Sequence, residues 1–129
     1  MSERRRISSG GPWEAVAGYS RVIVVGDSCW VAGTTDAGPD GRSLHPGDVG
    51  AQAQAVLEII EQSLAEAGFA LADVVRTRMF VIDIARSAEI SAVHGSVFRE
   101  IRPAATMVEV SALMDPSLLI EIEAEARRG

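Results

Sequence analysis

The sequence contains no lysine, so all 12 of its basic residues are arginine. Without lysine the chain cannot form a Schiff base, anchor pyridoxal phosphate or supply the lysine of a phosphate-binding loop. Its single cysteine, Cys29, excludes an intrachain disulfide and any zinc site built from several cysteines. The two histidines, His45 and His94, are far apart in sequence, so no metal site is expected.

Features that direct proteins to membranes or nucleic acids are also missing. The N-terminus has no apolar signal segment, and no apolar run is long enough to cross a membrane. We therefore expect a soluble, cytoplasmic protein without a membrane partner. The net charge is -6. The basic clusters at residues 4–6 and 127–128 are interpreted as solvated ends, so no nucleic-acid partner is expected.

The chain does contain enough apolar sequence to form a core. With 129 residues, of which 47% are hydrophobic, it is expected to form a single domain over residues 1–129. A domain of this size buries only a modest core, so oligomerisation would add useful stabilisation.

The first half of the chain predicts a hairpin, a loop and a helix. Two β-branched runs around Gly26 and Asp27 predict a β-hairpin. A long loop rich in glycine, proline and aspartate follows. Asp48 can then cap a helix that Gly68 stops.

The second half predicts a strand over residues 74–83, a helix and two closing strands. Ser87 is a suitable cap for that helix, and Pro103 is expected to end it. Helices separated by strands in one small domain predict an α+β fold, with two helices on one face of a mixed sheet.

The other face of that sheet is predicted to carry both charged and apolar residues. Along the last strand, Glu121, Glu123 and Glu125 alternate with apolar residues. Strict alternation along the middle strand puts one set of residues on one side and a second set on the other: Val74, Arg76, Arg78, Phe80 and Ile82, against Val75, Met79 and Val81. A sheet that is apolar on both faces, with embedded charges, indicates a subunit interface.

Three residues have both a structural and a functional interpretation. His94 lies within an apolar helical stripe. At such a position a hydrogen-bonded core histidine is favoured over a catalytic histidine that projects into a pocket. Glu123 is interpreted as a solvated residue, an ion-pair partner or an acid/base catalyst. A structural role is favoured over a catalytic one. Arg102 precedes Pro103 and is expected to be extended; it either clamps a carboxylate or covers a helix end.

Five segments occur in this order along almost the whole chain: GPWEAVAGYSRVIVVGDSCWVAGTT, VVRTRMFVIDI, VHGSVF, RPAATMVEVSAL and LLIEIEAEA. Together they resemble the RidA/YjgF family, the reactive-intermediate deaminases also called L-PSP endoribonucleases. The last two segments resemble the C-terminal signature of the family, which is its most specific part.

The resemblance implies a chorismate-mutase-like fold and a homotrimer. In such a trimer three sheets form an inner barrel, and three clefts lie between adjacent subunits. Active members of the family hydrolyse enamines and imines to 2-oxo acids and ammonia without a cofactor. The chain is therefore expected to need no cofactor and to bind a small molecule, a carboxylate or an imine, between its subunits.

Position by position, the resemblance implies a cleft whose chemistry has changed. The family arginine that grips the substrate carboxylate follows Pro-Ala in the signature, and that position is Ala105. The signature glutamate matches Glu123, which is expected to help position or activate the attacking water. A common asparagine on the second helix corresponds to His94. The other residues expected at the substrate are Trp13, Ala32, Gly33, Thr34, Arg78, Arg102 and Thr106.

These expectations lead to three candidate functions. The first is a divergent hydrolase in which Glu123 and His94 manage the water, with weak or no standard 2-imino acid deaminase activity because the arginine clamp is absent. The second is a trimer that binds a small molecule without turnover. The third, an endoribonuclease, is disfavoured by the acidic charge. Convergence of His94 and Glu123 would favour the hydrolase, and burial of His94 beneath its helix would favour the binding protein.

Overall fold

A computed structural model describes residues 3–129. Over this range the chain forms one mixed sheet with helices, in the order strand, helix, two strands, helix, strand, helix and two strands. The strands are β1 (Arg4–Ile7), β2 (Val22–Val25), β3 (Ser28–Thr34), β4 (Val74–Val81), β5 (Ala104–Glu109) and β6 (Ile120–Arg127). The helices are α1 (Pro12–Ala17), α2 (Val49–Glu66) and α3 (Ser87–Phe98), with 3₁₀ turns at Leu71–Asp73 and Ile84–Arg86.

The sheet has the strand order β1-β2-β3-β6-β4-β5. All neighbours are antiparallel except β4 and β5, which are parallel. A parallel pair needs a crossover connection, and α3 provides it. As a result β5 and β6 follow each other along the chain but are separated in the sheet by β4.

The core lies between one face of the sheet and the two long helices. The apolar stripe of α2 is buried against β3 and β6, and α3 packs beside α2. Fully buried residues of both layers meet here, among them Val56, Ile60, Leu64, Ile120 and Ile122. Within the described range, no helix is long and apolar enough to cross a membrane.

The predicted hairpin and first long helix are confirmed. β2 and β3 pair from Val25 and Ser28 outward, and Gly26 adopts the positive φ of 58° that a two-residue turn requires. The side chain of Asp48 caps α2 by accepting a 3.0 Å hydrogen bond from the backbone N–H of Ala51. Gly68 follows the helix with a φ of 87°.

The expected ends of the second helix were wrong. α3 begins at Ser87, but its N-cap residue is Arg86, and the serine side chain does not cap it. Instead Asp83 caps the preceding 3₁₀ turn through the N–H of Ala85. The helix ends at Phe98, before Pro103 can act on it.

Two elements at the N-terminus were not expected. Residues 4–6 are exposed, as expected, but they also form part of β1: the strand pairs with β2, and Arg5 Nη2 donates to the carbonyl of Ala67 at 2.8 Å. Residues Pro12–Ala17 form a short helix, since Pro12 stands at its first turn, where a missing N–H costs nothing. On this helix Trp13 and Val16 are 66% and 79% exposed.

The predicted strict alternation of side chains between the two sides of the middle strand does not hold at the start of β4. Val74 pairs with Ala126 while Arg76 pairs with Glu125, so one extra residue forms a β-bulge. The bulge turns Val74 into the core, where it is 3% exposed, and leaves Val75 49% exposed. The predicted sides of these two valines are therefore reversed.

We call the sheet face opposite α2 and α3 the open face. It carries Glu121, Glu123 and Glu125 of β6 with Arg76, Arg78 and Phe80 of β4, all partly exposed. Trp30 and Val108 add apolar surface that is 44% and 42% exposed. The structure thus shows, on this face of the sheet, the mixture of charged and apolar residues that the sequence predicted.

The loop between β3 and α2 is fixed by buried polar groups. Asp36 is 1% exposed, and its Oδ2 accepts hydrogen bonds from Ser43 Oγ at 2.8 Å and from the backbone N–H of His45 at 3.1 Å. The amide of Gln52 on α2 donates to the carbonyl of His45 at 3.1 Å. Because these bonds tie the loop to the buried side chains of Asp36 and Gln52, the long loop has one defined path beside the sheet.

Candidate functional site

Glu123 and Arg78 lie together in a concave region of the open face, with a volume of about 560 Å³. Arg78 Nη1 donates to Glu123 Oε1 at 3.0 Å and to Glu125 Oε1 at 3.2 Å. The hydrogen bond that Arg78 donates to Glu123 is the largest cause of the raised pKa of Arg78. The guanidinium of Arg78 is thus shared between two carboxylates. Of the three roles considered for Glu123, this contact supports that of an ion-pair partner.

His94 lines a second, smaller cavity of about 370 Å³ at the end of α3, together with Phe98, Arg99, Arg102 and others. Its Nε2 lies 2.9 Å from the hydroxyl oxygen of Thr77, which is fully buried on β4. The ring packs on Phe98 with a centroid distance of 4.7 Å. Burial lowers the pKa of His94, which favours the neutral form of the imidazole.

Arg102 is not extended, contrary to the expectation from Pro103. Its φ is 54°, in the left-handed region. Within the described part of the chain, Arg102 is the one non-glycine residue whose φ is positive. Its backbone N–H donates to the carbonyl of Phe98 at 2.8 Å, which closes the final turn after α3. The helix end therefore overrides the local effect of the following proline.

The end of β3 forms a third group of candidate residues. Val31 pairs with Ala124 and Thr34 with Ile122, so Ala32 and Gly33 bulge opposite a single residue of β6. Arg21 holds this bulge, because its Nη2 donates to the carbonyls of Ala32 at 2.6 Å and Gly33 at 3.0 Å.

Thr34 and Gly33, at the end of this segment, differ in exposure. Thr34 is 1% exposed and its hydroxyl donates to the carbonyl of Ala32 at 2.8 Å. Gly33 is exposed and lies directly against Glu121, and a Cβ on Gly33 would overlap the Glu121 carboxylate. Glycine at position 33 therefore makes room for that side chain.

Glu121 is a candidate that sequence reasoning missed. Burial raises its pKa, the nearby charge of Glu123 raises it further, and Arg21 opposes both. The alternation along β6 placed three glutamates on one face but could not distinguish among them. Only the β3 bulge, which brings Gly33 beside Glu121, selects that residue.

The structure does not bring His94 and Glu123 together within one chain. Glu123 pairs with Arg78 on the open face, whereas His94 contacts Thr77 on the helix-bearing face. Ala105 is opposite Thr77 in the β4–β5 ladder and therefore lies on the face of His94. Thr106, opposite Arg78, lies on the open face.

The candidate residues thus form two groups on opposite sides of the sheet. We call Ala32, Gly33 and Glu121 the β3 half-site, and His94, Arg102 and Ala105 the α3 half-site. Among residues 3–129, no cluster of histidine, cysteine, aspartate or glutamate is arranged to hold a metal ion.

The comparisons with known proteins agree with this architecture. The family model described as Endoribonuclease L-PSP matches residues 11–128. The chain belongs to the RidA/YjgF family. A RutC family protein of Pyrococcus abyssi is 38% identical over 108 residues, which is 84% of either chain. The 2-iminobutanoate/2-iminopropanoate deaminase of Rattus norvegicus is 30% identical over 126 residues, covering 98% of this chain and 91% of the rat protein.

Solved structures of RidA/YjgF proteins confirm the α+β fold. Rv2704 of Mycobacterium tuberculosis, a member of the YjgF/YER057c/UK114 family, matches with a TM-score of 0.89 at 46% identity, covering 98% of this chain and all of that one. The YjgF gene product of E. coli matches with a TM-score of 0.82 at 30% identity, covering 97% of this chain and 99% of that one. The YjgF-like fold implied by the sequence is thereby confirmed.

Proposed function

We propose that this chain forms a homotrimer with a small-molecule cleft between adjacent copies, and that the cleft hydrolyses an imine or enamine. The observation that carries this proposal is Glu121, a half-buried carboxyl group with a raised pKa beside the exposed Gly33. A carboxyl group whose pKa is raised keeps its proton to higher pH than an ordinary glutamate, which suits it to act as a general acid and then as a general base. The deaminase named among the relatives makes imine hydrolysis the reaction to test first.

The arrangement of the two half-sites supports a cleft built from two copies. Glu121 lies on the open face and His94 on the helix-bearing face, so one copy cannot direct both at the same ligand. A neighbouring copy can place its β3 half-site against the α3 half-site of the first. Exposed apolar residues on α1 and on the open face, such as Trp13 and Trp30, would be covered by that contact.

In the proposed reaction, the protonated Glu121 carboxyl group donates its proton to an enamine carbon or to an imine nitrogen. The resulting iminium carbon is attacked by water, and the Glu121 carboxylate accepts one of the water protons. The hydroxyl proton of the resulting carbinolamine then moves to its nitrogen, the C–N bond breaks as the C=O double bond forms, and ammonia leaves. Imine and water thus become ketone and ammonia, and the carboxyl group returns to its initial state.

Binding without turnover is the second candidate, and Ala105 is the observation that favours it. An alanine supplies no hydrogen bond to a substrate carboxylate, so the reacting carbon is held less firmly than by an arginine. An endoribonuclease function is disfavoured, because a chain with a net charge of -6 repels the phosphates of RNA.

Replacing Glu121 by glutamine tests the catalytic assignment. We expect Glu121→Gln to lower imine hydrolysis by about 100-fold or more, because the proton donor is lost while the shape is kept. Glu123→Gln is expected to cost less, since Glu123 is held in the pair with Arg78, and Glu58→Gln on the exposed side of α2 serves as the control. Full activity in Glu121→Gln with none in Glu123→Gln would transfer the role to Glu123.

The same variant has an expected effect on stability. A carboxyl group whose folded pKa is raised stabilises the fold fully below the ordinary glutamate pKa and loses that contribution as the pH rises through the folded pKa. At pH 7, therefore, Glu121→Gln is expected to have a higher Tm than the native protein. At pH 4 the difference is expected to shrink, and thermal unfolding at both pH values checks the sign.

The oligomeric state tests the cleft itself. Light scattering is expected to give three copies per particle, near three times the chain mass of 13.7 kDa. Trp13→Ser would remove apolar surface exposed on α1 and is expected to weaken the assembly, whereas Met114→Ser, 93% exposed in a loop, is the matched control. A native protein that remains monomeric at all concentrations would contradict the proposed cleft.

A further inference from the structure

The cavity at the end of α3 has an unusual charge. Its wall contains two arginines, Arg99 and Arg102, both exposed, beside His94 and the apolar surfaces of Phe98 and Pro103. Among the described residues, neither guanidinium forms an ion pair with a carboxylate. Two free guanidinium groups at the rim of a cavity favour an anion there.

The other arginine considered for this role is already occupied. Arg78 is bonded to Glu123 and Glu125, and it lies on the open face. Ala105 lies on the face of Thr77 and His94, so a side chain at position 105 would reach the same side of the sheet as the α3 cavity. Arg99 and Arg102 are the arginines that line the α3 cavity.

The backbone of Arg102 is held in a conformation that costs free energy. Left-handed φ values are unfavourable for residues with a Cβ, and glycine is the usual residue at such a helix end. An arginine at φ 54° is therefore retained against its local preference. Its Nε donates to the carbonyl of Arg99 at 3.3 Å, which steers the side chain and leaves both terminal nitrogens available. Strain of this kind is found at ligand-binding positions.

We propose that Arg102, assisted by Arg99, binds the carboxylate of a small organic acid in the α3 cavity, in place of the arginine that Ala105 lacks. The proposal deepens the proposed function and rests on it for the class of ligand. Arg102 offers the planar fork that a carboxylate accepts, and the neutral His94 presents its Nδ1 as the ring nitrogen not engaged by Thr77. Phe98 and Pro103 provide an apolar wall for the carbon chain of the acid.

Binding of 2-oxobutanoate, measured by titration calorimetry and by amide NMR shifts, tests this proposal without turnover. We expect Arg102→Gly to raise the Kd by about tenfold or more. Because glycine tolerates the left-handed φ, the variant is expected to fold with an unchanged or higher Tm. Arg102→Lys keeps the charge without the fork and is expected to recover only part of the affinity. Arg86→Gln, at the other end of α3, is the control with unchanged Kd.

The ligand series and the location of the signals make the result decisive. 2-Butanone, which has the same carbon chain without the carboxylate, is expected not to bind, and inorganic phosphate is expected to bind more weakly than 2-oxobutanoate. The amide of Gly95 should shift on binding, while the amide of Glu58, on the exposed side of α2, should not. An unchanged Kd in Arg102→Gly, equal binding of 2-butanone or phosphate, or a shift at Glu58 without one at Gly95 would overturn the proposal.

Failure here and failure of the proposed reaction are distinguishable. Binding of 2-oxobutanoate is measured without turnover, so the measurement does not depend on the proton transfers that are assigned to Glu121. Loss of binding in Arg102→Gly therefore supports the anion site whatever the rate of hydrolysis. Unchanged binding in Arg102→Gly overturns the anion site and leaves the assignment of Glu121 to its own test.

Discussion

Replacing Ala105 by arginine is expected to raise the kcat/KM for 2-imino acid hydrolysis by about 10- to 100-fold over a weak native activity. A charge-assisted hydrogen bond to a carboxylate contributes about 1.5–3 kcal/mol, and two parallel bonds also fix the orientation of the substrate. Position 105 is exposed in the chain and faces the side of the sheet that carries His94. A longer side chain at position 105 therefore has room and extends from the side of the sheet that carries His94.

The native rate is expected to be low even though Arg102 can bind a carboxylate. A guanidinium held at the end of α3 reaches the ligand from a different position than one held on β5, so the imine carbon is displaced from Glu121. A misplacement of about 1 Å can cost a factor of about 100 in rate. Binding can thus persist while turnover of the standard substrates is weak.

The measurement is ammonia release from 2-imino acids generated in situ by a pyridoxal-phosphate enzyme. Ala105→Gln, which adds length without charge, separates the effect of the guanidinium from that of bulk. Ala88→Arg, at an exposed position on α3, controls for the added charge. A native chain as fast as arginine-containing relatives, or an Ala105→Arg variant no faster than Ala105→Gln, would contradict the expectation.

Replacing Gln52 by alanine is expected to lower the free energy of unfolding by about 3–5 kcal/mol. Gln52 is completely buried on α2. Its Nε2 donates to the carbonyls of His45 at 3.1 Å and Ser117 at 2.9 Å, and its Oε1 accepts from the N–H of Leu119 at 2.8 Å. Alanine would leave three backbone groups from two loops without partners, and each costs about 1–3 kcal/mol when buried.

Urea unfolding at pH 7 measures this effect, and Gln54→Ala is the matched control. Gln54 lies on the exposed side of the same helix and makes one 3.3 Å hydrogen bond to Glu58. Its loss is expected to change stability by less than about 0.5 kcal/mol. Equal effects of the two substitutions would show that the Gln52 bonds do not hold the loop to the sheet.

Much of the fold could be predicted from local sequence patterns, because the turns and helix caps involved depend on residues that are close together along the chain. The Gly26 turn and the Asp48 cap depend on residues within four positions along the chain, and both were confirmed. The left-handed Arg102 could not be read in this way. Its conformation is decided by a hydrogen bond to Phe98 that forms only once α3 has formed.

The candidate site was predictable in its chemistry but not in its arrangement. The sequence by itself showed that lysine chemistry is excluded, that β6 presents a row of glutamates, and that position 105 lacks a guanidinium. It could not show which glutamate is desolvated, because that depends on a bulge in another strand that brings Gly33 against Glu121. Residue type is a property of the chain, whereas burial and proximity arise only when distant segments pack. For that reason the tertiary structure alone placed His94 and Glu123 on opposite faces of the sheet.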